Sequence, residues 1–170
     1  MAKETKETKA QEAAQTGVEG AIRTGNQVTD KAITDALAEI EKEKDDKKKR
    51  IAKRQLCIAT YVNRKTLLQL QQRRREDDLT KEKLDASKKL LERLLGVECE
   101  IKGGECIPTK KKIDAKDVLT PTEHENETKK MEEDFRKKTS ESDKQFDDAM
   151  RELRNSYEGE YRGYVECYWY

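Results

Sequence analysis

The stretch KKKRIAKRQLCIATYVNRKTLLQLQQRRR, residues 47–75, decides how the chain is read. It holds eleven Lys or Arg and no Asp or Glu, in a chain whose formal net charge is only +1. By segment the formal charge is −4 over 1–46, +11 over 47–75, −1 over 76–122 and −5 over 123–170. Such a block has two physical uses. A basic helix can track phosphates, each neutralised phosphate releasing a counterion and making binding salt-sensitive. Alternatively, the basic groups form a rim that pairs with acidic helices while the apolar groups between them are buried.

The apolar pattern favours the second use. At 100° per residue Ile51, Ile58 and Val62 lie on one side, Leu56 and Leu67 roughly opposite, and Cys57, Tyr61 and Leu68 on a third. A helix that is apolar almost all round is enclosed by neighbours. The acids expected to meet it are Glu132, Glu133, Asp134, Asp147 and Asp148, or those of another subunit. LCIATYV, 56–62, also suits a buried strand, but no turn residues flank it, so a helix is expected.

Outward from this block, composition sets the class. Charged residues make up 43% of 170 residues and mean hydropathy is −1.15. So few large apolar groups cannot fill a thick core, and balanced Lys, Glu, Arg, Ala and Leu suit long solvated helices that bury a narrow stripe. The fold class expected is mainly all-α: an elongated helical, coiled-coil type protein with one small β-hairpin.

Residues 1–25 form a low-complexity tail. Residues 26–95, with no Gly or Pro, make one long helix or two, with a break near Glu76–Asp78 as the alternative. Ile33, Leu37, Ile40, Lys44, Lys47 and Ile51 follow the 4-3-4-3-4 spacing of a coiled-coil seam, and Leu84, Leu91, Leu94 and Leu95 resume a helical stripe. Gly96 then supplies a left-handed C-cap.

Residues 96–119 are read as a hairpin and linker, with Gly103-Gly104 as a two-residue turn, Lys102 facing Glu105 and Ile101 facing Cys106. Thr120-Pro121-Thr122-Glu123 carries the residues of a capping box and opens a helix over 120–158. Its stripe is Phe146, Met150, Leu153, Tyr157, Tyr161, Tyr164 and Tyr168. Residues 159–170 form an aromatic C-terminal anchor, with strand or helix left open over 163–170.

The candidate partner-docking residues are Tyr157, Tyr161, Tyr164, Tyr168, Trp169 and Tyr170 in that anchor, with Leu56, Ile58, Tyr61, Val62, Leu67 and Leu68 in the central block. Tyr and Trp bury large area at low entropy cost and are common interface anchors. Contact with nucleic acid or an acidic partner is assigned to Lys47, Lys48, Lys49, Arg50, Lys53, Arg54, Arg64, Lys65, Arg73, Arg74 and Arg75. The tripeptide Val-Glu-Cys occurs at 97–99 and 165–167, which suggests strand pairing between neighbouring chains.

No Gly-rich phosphate loop, nucleophile elbow or metal-ligand spacing is present, and the one histidine, His124, lies where a second helix begins. No catalytic residue, metal or cofactor is assigned. Cys57, Cys99, Cys106 and Cys167 are widely scattered and follow no secretory signal, so they are expected as reduced thiols in a cytosol-like compartment. The chain is expected in the cytoplasm or a virion, neither secreted nor membrane-spanning. The function expected is a non-catalytic structural or interaction component of a large assembly, plausibly a minor virion protein of a tailed phage (internal, connector or scaffold-like). Its partners would be protein subunits, in a homo-oligomer or hetero-complex. The alternative is a nucleic-acid-binding helical protein using the 47–75 segment.

Overall fold

The computed structural model describes residues 26–158. It is mainly helical with one two-stranded sheet: α1 (Asp30–Glu41), α2 (Asp46–Leu95), β1 (Val97–Lys102), β2 (Glu105–Lys112), a single 3-10 turn (Ala115–Asp117) and α3 (Pro121–Glu158). The mainly-α class with a hairpin is thus the observed one.

Helix α1 starts at Thr29, whose side chain accepts from the Ala32 N–H. It ends at Lys42, where the backbone tightens into bonds from Lys42 N–H to Glu39 O and from Glu43 N–H to Ile40 O. The expected seam through Lys44 and Lys47 therefore does not run on in one helix. Asp45 is the reason. Its carboxylate accepts from the N–H groups of Lys47 (2.9 Å) and Lys48 (3.1 Å), satisfying donors that a continuing helix would direct to carbonyls four residues back. From Asp46 the 50 residues of α2 run unbroken, and the alternative break at Glu76–Asp78 does not occur.

The C-terminus of α2 is closed as the glycine implied. Gly96 has φ +75 and its N–H bonds to Glu92 O, while Arg93 O accepts from the Leu119 N–H. The Arg93 side chain donates from Nε to Asp117 O at 2.9 Å. Two carbonyls of the last turn are thereby satisfied.

β1 and β2 pair antiparallel with Ile101 opposite Cys106 and Lys102 opposite Glu105, around Gly103 (φ +61) and Gly104 (φ +83). A register irregularity falls between Val97 and Cys99. Helix α3 opens with the reciprocal capping box: Thr120 Oγ1 accepts from Glu123 N–H (3.2 Å), and Glu123 Oε2 accepts from Thr120 N–H (2.9 Å).

By contacts the described residues divide into two units, 26–71 with 146–158, and 72–145. In the first, the core is Val28 and Ala36, with Ala32, Ile33, Leu56 and Ala59 packed on it. In the second, α2 and α3 run antiparallel. As the α2 partner advances from Gln72 to Glu82 to Ser87, the α3 partner retreats from Asp143 to Lys138 to Met131. Among the described residues, no helix is long and apolar enough to cross a membrane.

Candidate interaction surfaces

The basic block is partly neutralised within its own unit, though not by the acids expected. Glu41 takes Lys49 (3.1 Å) and Lys53, and Arg64 lies 3.7 Å from Asp30. The two ammonium groups, Lys53 foremost, hold the Glu41 carboxyl below its ordinary value of 4.5. Arg75 donates to the Gln145 side chain at 3.0 Å. The expected acids are engaged differently: Glu133 pairs with Lys137 and Asp148 with Arg151, both along α3 itself. The reason is the interruption of the helix at 42–45, which turns α1 back so that its acidic end meets the start of α2. Lys47, Lys48, Arg50, Arg73 and Arg74 are exposed, while Arg54 and Lys65 are half-buried.

The central apolar residues separate into two groups. Tyr61 is buried, Leu56 belongs to the Val28 core, and Ile58, Leu67 and Leu68 are half-buried. Val62 is 47% exposed, so the block is not enclosed all round among the described residues. Tyr157 lies in the last turn of α3. Tyr161, Tyr164, Tyr168, Trp169 and Tyr170 lie outside the described residues, as does the second Val-Glu-Cys.

Two buried polar devices carry no signal in the sequence pattern. Asn63 is 4% exposed, and its side chain accepts from Val28 N–H and donates to Asn26 O, each at 3.1 Å. Gln72 and Ser142, both 7% exposed, form a polar layer between α2 and α3. There the Gln72 amide donates to Asp143 (3.0 Å) and to Glu76 (3.3 Å), and its oxygen accepts from Ser142 Oγ (3.3 Å). A buried polar layer of this kind specifies which residues of two helices face each other.

The cysteines require a correction. Cys99 and Cys106 are joined in a disulfide, and Cys57 is also disulfide-bonded, so the reduced-thiol expectation does not hold. The physical cause is the hairpin register. It sets Cys99 and Cys106 on one face of the sheet with their Cα atoms 5.4 Å apart, inside the range that a disulfide spans. Cys99 is 3% exposed and its N–H bonds to the Glu92 carboxylate at 3.2 Å.

Among its many exposed charges the second unit also presents large apolar side chains to solvent, and what it buries is largely polar. Its buried residues are Cys99, Gln72 and Ser142, whereas Leu84 is 66% exposed, Leu95 48%, Leu91 38%, Ile101 55% and Ile107 44%. An open groove between α2 and α3 carries Leu79 and Phe135 with Glu76, Lys83, Glu132 and Arg136 around them. Lys138 sits over the Phe135 ring at 4.9 Å. No family model matches the chain, and no curated protein or solved structure does.

Proposed function

We propose that the chain is a non-catalytic structural or interaction component of a large protein assembly, of the kind a minor internal, connector or scaffold-like protein of a tailed-phage virion represents. One observation carries this reading: helices that bury Gln72 and Ser142 leave Leu84, Leu91 and Leu95 open to water. An exposed apolar row rimmed by charges is what a protein interface supplies. The disulfides support a virion or another oxidising setting over a reducing cytoplasm, where such bonds are rare.

The second reading is phosphate binding by the exposed cations Lys47, Lys48, Arg50, Arg73 and Arg74. It is weakened because Lys49, Lys53 and Arg64 already face Glu41 and Asp30, which lowers the number of phosphates the block can neutralise. Solution mass at low and moderate salt, with nuclease-treated protein and with added oligonucleotide, separates the two. Protein association that survives the salt change supports the assembly reading. A monomer that binds oligonucleotide, with affinity collapsing as salt rises, overturns it.

A further inference from the structure

We infer that the Leu84, Leu91 and Leu95 face of α2 is a self-association surface, covered by the same face of a second copy running antiparallel. This names the partner in the assembly reading and rests on that reading for its biological sense. The three leucines are spaced seven and four residues apart, so at 100° per residue they fall within an arc of about 40°. They lie away from the side of α2 that meets α3, where Gln72 bonds Asp143 and Ser142 and Glu82 bonds Lys138. All three are exposed among the described residues, Leu84 the most so of the large apolar residues at 66%, with Leu95 and Leu91 partly covered.

The charges beside the stripe identify the occupant. On the flank away from Ser87, which bonds Met131 of α3, stand Lys81, Asp85, Lys88 and Glu92. Their signs alternate, plus, minus, plus, minus, at 4-3-4 spacing. The side chains of Lys81, Asp85 and Lys88 take part in no ion pair or hydrogen bond among the described residues, and Glu92 uses one carboxylate oxygen on the Cys99 N–H. Within the helix the Lys precedes its acid by four residues, the less favourable order for pairing along one helix.

Read backwards, the row is minus, plus, minus, plus. When two copies run antiparallel, the same flank of each meets the other in reverse. One register sets Lys81 opposite Glu92 of the second copy and Asp85 opposite its Lys88, and two-fold symmetry makes each contact twice. That register brings Leu84 beside Leu91 of the second copy, about two residues of rise apart. A parallel copy would instead set this flank against the opposite flank of its partner, where Thr80 and Ser87 lie beside α3 and offer no charge to pair. Rim charges of this sort contribute little affinity each but fix orientation, while burial of the leucines drives association.

The test uses the full chain with its disulfides intact. Solution mass across a concentration series is expected to rise from 19.8 kDa to twice that value. Leu84→Asp with Leu91→Asp, at exposed positions, is expected to raise the dimer dissociation constant at least a hundredfold with unchanged helical circular dichroism. Lys81→Glu with Lys88→Glu should dissociate the dimer, as should Asp85→Lys with Glu92→Lys. Mixing these two charge variants should restore a dimer containing one of each. A wild-type chain that stays monomeric at the highest concentration overturns the inference, yet leaves the assembly reading to its salt test with other subunits. A dimer that the leucine variant leaves intact, or charge variants that do not restore each other, overturns it too.

Discussion

Asn63 and Val28, thirty-five residues apart, are joined at 3.1 Å by a buried bond from the Val28 backbone N–H to the Asn63 side-chain oxygen. The same amide donates to Asn26 O, so one side chain satisfies a donor and an acceptor of the segment that leads into α1. Val28 is the most buried large side chain described, and this bond holds its backbone against α2 while its methyl groups meet the core.

Replacing Asn63 by Leu should therefore destabilise the protein by about 1–3 kcal/mol, the cost of leaving buried backbone groups unpaired. Asn63→Asp, which keeps the acceptor but cannot donate to Asn26 O, should also destabilise. Urea denaturation measures both; a midpoint unchanged in Asn63→Leu would mean the bond is not formed in solution.

The polar layer behaves as a unit. Gln72→Leu alone should destabilise, because Ser142 and Asp143 lose their buried partner. Gln72→Leu with Ser142→Ala removes both polar groups and should recover most of the loss. A double-mutant cycle with a coupling energy near zero would contradict this.

Thr120→Ala should cost about 1 kcal/mol by removing the acceptor for the Glu123 N–H. Thr120→Ser should keep nearly all of it. Thermal denaturation followed at 222 nm compares the two, and equal melting temperatures for Ala and Ser would contradict the cap.

Glu41 should give the protein an acid-sensitive increment of stability. Its folded carboxyl titrates below the ordinary 4.5 because Lys53 and Lys49 bond to it. A depressed carboxyl stabilises at pH above its unfolded value, and the increment fades as pH falls from about 4.5 through the folded value. The group is exposed, so the effect should be small and reduced by salt. Urea midpoints of the wild type and Glu41→Gln should converge as pH is lowered through that window; parallel curves would rule the pairing out.

Peptide mapping without reductant should recover Cys99 and Cys106 in one linked pair. After reduction and alkylation, hydrogen exchange of the β1 and β2 amides should speed up more than that of the α2–α3 helical amides. Free thiols at both positions in oxidised protein would show that the hairpin closes without the bond.

What the sequence made legible is what local chemistry determines. The glycine at 96, the Gly103-Gly104 turn with its register, and the Thr120–Glu123 box each act within a few residues, and each is present. Periodicity misled at Lys44 and Lys47, because residue spacing does not register that Asp45 captures the N–H groups of Lys47 and Lys48. The acids that meet the basic block differ from those expected for the same reason: with α1 turned back, Glu41 is the acid within reach. Asn63, Gln72 and Ser142 are ordinary polar residues by type, and their burial depends on neighbours 35 to 71 positions away. The disulfide follows from the hairpin register, because that register puts both sulfurs on one face of the sheet.

The staple between Cys99 and Cys106 has an engineering consequence. Only residues 100–105 lie inside it, and Gly103 and Gly104 at the tip have no heavy atom within 4 Å of an added Cβ. Covalent closure at the base isolates the tip from the strand ends that lead into α2 and the linker. A peptide tag spliced between Gly103 and Gly104 should be displayed there without disturbing either helix.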